Sequence, residues 1–354
     1  MNIANWWKYL GVILMLYTIV IGILVPIKSG ILDYDNGVAV VGQEFDITVE
    51  AYNTHYKTSE TKAYLLFPDD RLLKAKKVSA ANDAQLTAFF DIPIDIEYGD
   101  AEYVECSIVT DNELDGYAQF ARAVKIEKPS VSSSQQQGNW ATLSELHSTK
   151  GFRFPFMPIL YETIRNQFFH VAIWMAMFLL LLISCYHSVR YLIGSNLRHD
   201  IRSSALTSIA LVFGIAGLLT GSMWARFTWG AWWTNDVKLN MTAIAMLLYF
   251  SYWILRSSIT DVDSRARLSG VFNIFAFIAL MILVMVIPRM TDSLHPGNGG
   301  NPGFAEDDLD DTLKAVFYPA VIAYTLIGLW IAQLYTRYQN ISDKWELKTY
   351  NNSH

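Results

Sequence analysis

Apolar residues along this chain follow two patterns. Six long runs, Tyr9–Ile27, Phe168–Tyr186, Ala205–Met223, Met241–Leu255, Val271–Ile287 and Leu313–Tyr335, contain almost no charge. A helix needs about 20 apolar residues to cross a bilayer, where it must satisfy its own backbone hydrogen bonds. The runs therefore predict six transmembrane helices, the fourth being the shortest. The first exceeds the apolar core of a secretory signal and no A-x-A cleavage site follows, which predicts a retained anchor.

Between the first two runs the period drops to two. Glu44–Asn53 alternates, with Phe45, Ile47, Val49 and Ala51 on one face. Shorter runs at Val38–Val41, Ala63–Phe67, Leu86–Ile94, Tyr103–Val109 and Tyr117–Ile126 are punctuated by turn formers such as Pro68-Asp69-Asp70 and Tyr98-Gly99-Asp100. Many short strands over about 100 residues predict an antiparallel, immunoglobulin-like β-sandwich. Pro129–Gly138 is a polar linker. Phe154–Phe169 then predicts a helix lying at the membrane interface. The predicted organisation is an anchor (1–27), a β domain (28–128), a linker (129–153), a five-helix membrane domain (154–336) and a tail (337–354).

Composition agrees with two joined materials. Of 354 residues 52% are hydrophobic and only 17% charged, against about 25% charged in soluble domains. Residues 28–155 hold 20 acidic and 12 basic groups, whereas the remainder is slightly basic. No basic face suited to nucleic acid is present. Lys and Arg in short loops set orientation. Lys8, Arg190, Arg198, Arg202, Arg256, Arg265, Arg267, Arg337, Lys344 and Lys348 predict a cytoplasmic side that includes both termini. Residues 28–167, 224–240 and 288–312 then lie outside, with Arg165, Arg226, Lys238 and Arg289 near them. Cys106 and Cys185 fall on opposite sides and cannot pair within the chain.

The densest chemistry is Thr220–Asn240, TGSMWARFTWGAWWTNDVKLN. Trp229, Trp232 and Trp233 stand at i, i+3 and i+4, which a helical turn would gather on one side, with Asp236 one turn later. Trp224 brings the count to four indoles in ten residues. An interfacial aromatic belt would place Trp here for comfort alone; the clustering among glycines and an acid favours a platform for a flat ligand such as a macrocycle. Of seven histidines, only His170 and His295 fall at the outer edge of the membrane part. Imidazole is an axial ligand of haem iron, and Arg165 and Lys238 are candidate partners for haem carboxylates. Snorkelling from a helix end is the competing role for such cations.

These residues resemble the heme exporter protein C (CcmC) family of cytochrome c biogenesis. The resemblance rests on Thr220-Gly221-Ser222, Trp224, Trp229-Gly230, Trp232-Trp233, Asp236 and Lys238, which match the family's WWD signature. His170 and His295 match its two periplasmic histidines, and Arg165 a basic position before the first. The resemblance implies six inner-membrane spans and non-covalent b-type haem held at the periplasmic face by His170, His295 and the Trp segment. It also implies transfer to a periplasmic haem chaperone, alongside an ABC transporter of the same system. The chain departs from the pattern at Asn235 where the family has Trp, at Val171-Ala172, at Met290-Thr291 and in its expanded first loop.

The reading is a haem relay, with no bond-making residue and an open edge for the acceptor. Rival readings are a membrane electron-transfer enzyme, whose histidines would more often sit within spans, an ABC permease, and a structural or sensor protein built around the β domain. Acids at Glu306–Asp311 suit the positive end of a following helix. No P-loop, H-E-x-x-H or Ser/His/Asp arrangement occurs.

Overall fold

The computed structural model describes residues 5–96, 101–128, 138–158, 160–295 and 309–353. The chain divides into two compact units, one formed by residues 1–24 with 163–354 and the other by residues 25–162. The linker 129–137, the Tyr98-Gly99-Asp100 turn and Glu306–Asp308 lie outside the described residues.

Among the described residues, the helical unit contains six helices long and apolar enough to cross a membrane. They are α1 (Trp6–Leu24), α2 (Ala172–Gly194), α3 (Leu197–Trp229), α4 (Val237–Ser258), α5 (Val262–Met281) and α6 (Asp311–Ser353). Ala176 and Leu180 of α2, Ala210 and Phe213 of α3, Met246 of α4, Ala276 and Leu280 of α5 and Ala332 of α6 share one buried core. Outward residues such as Leu24, Ile193, Leu219 and Phe227 stay exposed and apolar, as contact with lipid requires.

Lipid is as apolar as Leu, so hydrophobicity alone does not hold such helices together; polar contacts must help. Asn273 of α5 directs its amide nitrogen at the hydroxyls of Ser184 and Ser188 of α2 and Ser203 of α3, at 2.9, 2.9 and 3.2 Å. Asp200 of α3 and Arg256 of α4 form a buried two-pronged ion pair with both bonds at 2.7 Å. In α6, Pro319 cannot supply an N–H to Ala315, four residues earlier. The Tyr17 hydroxyl of α1 donates to that carbonyl instead, at 3.1 Å. A breaker in one helix thus becomes the docking point of another.

Among its described residues, the second unit carries ten strands in two sheets: β1 (Gly30–Tyr34), β2 (Val38–Val40), β3 (Glu44–Tyr52), β4 (Lys62–Leu66), β5 (Arg71–Lys74), β6 (Lys77–Ala80), β7 (Gln85–Asp91), β8 (Tyr103–Asn112), β9 (Gly116–Glu127) and β10 (Trp140–Thr142). One sheet runs β1-β3-β7-β6 and the other β10-β5-β4-β8-β9-β2. Pairings among them are antiparallel except β2 with β9, which is parallel in the register Val38↔Lys125. The alternation in β3 buries Phe45, Ile47, Val49 and Ala51 as its sequence requires. These residues join Leu65, Cys106, Ile108 and Val124 of the other sheet in one core. Two buried carboxylates pin the β8–β9 hairpin: Asp111 accepts from the His147 backbone and Nδ1, and Asp115 from those of His55.

One predicted element is corrected. Phe154–Phe169 is not a continuous helix. Phe154 forms a parallel bridge with Ile27, and helical turns start only at Tyr161, as a 3-10 helix, Tyr161–Arg165, followed by a π-helical turn from Gln167. Pro155 and Pro158 bar the preceding residues from helix. The bridge is reinforced by Lys28 N–H to the Phe154 carbonyl (2.8 Å) and Phe154 N–H to the Pro26 carbonyl (3.0 Å), so both ends of the β unit are tied side by side.

Candidate functional site

The site is assembled around α3. Just before α2 the chain forms a π-helical turn, Gln167–Val171, which holds His170; such turns recur where a side chain must be re-aimed. The His170 Nδ1 lies 3.0 Å from the Gly217 carbonyl and 3.2 Å from the Thr220 hydroxyl. A carbonyl only accepts, so Nδ1 carries the hydrogen and the lone pair of the neutral ring is on Nε2. This approach depends on Gly221. A Cβ at Gly221 would lie 2.5 Å from the His170 ring carbon Cε1, so no larger residue fits without displacing the imidazole.

α3 ends at Trp229, and Gly230 adopts φ 76° as its left-handed cap. The predicted helical face of Trp229, Trp232 and Trp233 is therefore not formed. Trp229 is the last helical residue, while Trp232 and Trp233 lie in the bend beyond it, 60% and 44% exposed. Asp236 is likewise not on that helix; it is the N-cap of α4. The Arg226 guanidinium closes the bend by donating to the Gly230 carbonyl at 2.5 Å. Trp233 Nε1 donates to Asn240 Oδ1 (3.2 Å), and the Asn240 amide donates to Asn235 Oδ1 (2.8 Å). Asn235, the departure from the expected Trp, thus anchors the bend to α4.

Asp236 is the hub of the second half. Its Oδ1 accepts from the Lys238 and Leu239 backbone (2.9 and 3.2 Å), which caps α4. Its Oδ2 accepts from the Ser293 hydroxyl and Leu294 N–H (2.7 and 2.8 Å), which hangs the following loop on the same carboxylate. The His295 Nδ1 completes the set at 3.1 Å from Oδ1. Burial works against this carboxylate's charge, yet the donors from Ser293 and Leu294 and the His295 ring hold it below the usual range. Burial and the nearby Lys238 ammonium push His295 down to about 4, despite the pull of Asp236. The ring is therefore neutral near pH 7, with its hydrogen on Nδ1 and its lone pair on Nε2.

Two indoles flank that ring. Trp229 meets His295 edge-on with centroids 5.0 Å apart, and Trp224 lies 6.2 Å from it; the two indoles pack on each other at 4.9 Å. Trp224 follows Thr220 by one turn of α3 and Gly217 by two. The His170 partners Gly217 and Thr220 and the His295 neighbour Trp224 thus lie within about 6–10 Å of one another along one helix. The surface beside them is a shallow depression lined by Thr234, Asn235, Asp236, Asp292, Ser293 and Leu294.

The remaining cations are placed differently. Arg165 donates to the Gly22 carbonyl of α1 at 3.0 Å, so it braces the anchor helix. Lys238 opens α4 next to Asp236, and Arg289 is exposed in a 3-10 turn, Ile287–Met290. Asp310 caps the start of α6 through the Thr312 N–H at 2.6 Å, the helix-end role expected for that acidic run. No group of three or more metal-ligating His, Cys, Asp or Glu side chains occurs among the described residues.

A family model for heme exporter protein C matches residues 158–349, just over half of the chain and the whole of this site. The chain belongs to the CcmC family. Relatives called heme exporter protein C include one from Bradyrhizobium diazoefficiens, 27% identical over 166 residues, or 47% of this chain and 62% of that protein. One from Paracoccus denitrificans is 25% identical over 135 residues, covering 38% of this chain and 56% of the relative. One from Escherichia coli K12 is 27% identical over 95 residues, covering 27% and 38%. The chain spans less than two thirds of the length of the CcmC relatives it matches. The β unit lies almost wholly outside the family match.

Haem fits the residues present. Two imidazoles with their lone pairs on Nε2 would serve as iron donors, and the exposed Trp232 and Trp233 would offer apolar surface to the macrocycle. Thr228 and Thr234, on either side of the Trp bend, each have a buried hydroxyl without a partner among the described residues, so polar atoms there await one. Sequence reasoning missed Gly217 as an acceptor, and it missed Ser293 and Asn240. Ser293 had no signal, whereas an Asp immediately before an apolar helical run is a readable N-cap.

Proposed function

We propose that this protein is a membrane-bound haem relay of cytochrome c maturation that holds haem between His170 and His295 and hands it to a haem-chaperone protein. The observation that carries this reading is the pair of Nδ1 hydrogen bonds. Each imidazole has its hydrogen committed to an acceptor, Gly217 or Asp236, which fixes the tautomer in which Nε2 can bind iron. Bound haem brings the iron and two carboxylates; the chain supplies everything else. Trp224 and Trp229 wall the His295 ring, and Trp232 and Trp233 offer apolar surface to the macrocycle. Lys238 faces one carboxylate and Arg165, besides its bond to the Gly22 carbonyl, the other. The exposed setting of Trp232 and Trp233 suits a cargo that must leave again.

In this reading the site faces the periplasm of a cell inner membrane, both termini are cytoplasmic, and an ABC transporter serves the same system. The β unit is an immunoglobulin-like sandwich on the periplasmic side, where it receives a partner. The test is direct. Purified protein should carry b-type haem with a low-spin bis-histidine spectrum, and His170→Ala or His295→Ala should lose or alter it. Replacing Trp232 and Trp233 together by Ala should lower haem content while membrane insertion is retained. Normal haem in all three variants refutes the site.

A further inference from the structure

The two proposed iron ligands are not equivalent, and the difference lies behind them. The His170 Nδ1 faces a backbone carbonyl, that of Gly217, which also accepts from the Thr220 hydroxyl at 3.1 Å. It is a neutral, shared acceptor. The His295 Nδ1 faces Asp236, whose side chain is 1% exposed and anionic. Hydrogen bonds to an ionised acceptor are roughly twice as strong as neutral ones, and a carboxylate behind a ligating imidazole raises its basicity.

The mountings differ as well. Asp236 also holds Ser293, Leu294 and the first turn of α4, and Trp224 and Trp229 enclose the His295 ring. His170 sits in a π-helical turn against the backbone of α3. One ring is electronically reinforced and fixed; the other has the weaker acceptor.

We propose that Asp236 is a positioning residue that makes His295 the stronger iron ligand, so that haem departs by releasing His170 first. The inference rests on the haem-binding reading and adds an order to it: the acceptor protein takes haem from the His170 side while His295 still holds the iron. Asp236 does not touch the iron. Three donors share its Oδ1, which dilutes its effect on the ring, so a moderate bias is expected rather than an all-or-none one.

The experiment uses the full-length protein in detergent, loaded with haem. Removal of an outer carboxylate typically costs 10–100-fold in metal affinity. His170→Gly should therefore keep haem as a mono-histidine form, whereas His295→Gly should lose it at least tenfold faster to an apomyoglobin scavenger. Asp236→Asn should raise the haem midpoint potential and shrink that tenfold difference. Asn is as good an N-cap as Asp, so α4 is kept. Ser293→Ala, which loosens the same loop but leaves the carboxylate behind His295, should not move the potential. Equal haem loss from the two Gly variants, an unchanged potential in Asp236→Asn, or an equal shift in Ser293→Ala overturns the order of release while the bis-histidine site stands. Wild-type protein without a bis-histidine spectrum overturns the site itself, and the order with it.

Discussion

Gly221→Ala is the sharpest single perturbation of the site. The added Cβ would stand 2.5 Å from His170 Cε1 and 3.1 Å from Nδ1. Ordinary carbon contacts begin at about 3.4–3.5 Å, so the ring must retreat by about 0.9 Å. Its hydrogen bond to the Gly217 carbonyl starts at 3.0 Å; a shift of that size away from α3 stretches it to about 3.9 Å, beyond any useful bond. The half-buried N–H then goes unsatisfied, which costs about 1–3 kcal/mol. That hydrogen bond also fixes the tautomer, so the lone pair loses its orientation. The assay is haem content and absorption spectrum of the purified variant, beside Gly270→Ala. A Cβ at Gly270 meets nothing closer than 3.7 Å, and Ala favours helix over Gly by about 1 kcal/mol. Gly221→Ala should lose most of its bis-histidine signal, whereas Gly270→Ala should keep it. A fully retained signal in Gly221→Ala would refute the reasoning.

Two further outcomes follow from the geometry. His295 is depressed from 6.5 to about 4, so the folded loop favours the neutral ring; its contribution is whole above about pH 6.5 and is lost as pH falls through 4. Asp236 is also depressed from its ordinary 3.8, so its part goes only at still lower pH. The indole fluorescence of Trp224 and Trp229 should accordingly begin to change between pH 6.5 and 4 in wild type, and this early phase should vanish in His295→Ala. The Asp200–Arg256 pair is two-pronged and buried. Asp200→Ala strands a guanidinium and should cost about 3–5 kcal/mol, whereas Asp200→Leu with Arg256→Met should recover much of it; thermal unfolding in detergent reads both, and equal losses would argue against the pair.

The six spans were legible because bilayer thickness imposes a long apolar run that few other structures produce. The alternation in β3 was legible for a similar reason: one buried face forces period two. Strands β1, β5, β6 and β10 have only three to five residues, too few for a period to register, and tertiary pairing decides them. The i, i+3, i+4 spacing of Trp229, Trp232 and Trp233 gives no helical face because Gly230 takes the left-handed cap and α3 stops at Trp229. Pro155 and Pro158 carried the warning against a helix at Phe154–Phe169. Among the described residues, His295 packs on Trp224 and Trp229, and His170 lies against α3 one turn before Trp224. The acceptors of the two rings were not legible, because Gly217 and Thr220 lie 47 and 50 residues from His170, and Asp236 lies 59 from His295.

The seam where Ile27 meets Phe154 has a consequence for the chain's architecture. A module whose entrance and exit are adjacent can be spliced into a connecting loop without stretching it, whatever the module's own size. The stitch here adds a backbone clasp, so the 126 intervening residues begin and end at adjacent points of their own unit. Such a cassette could be excised or exchanged at its seam while the chain ends it joins keep their spacing.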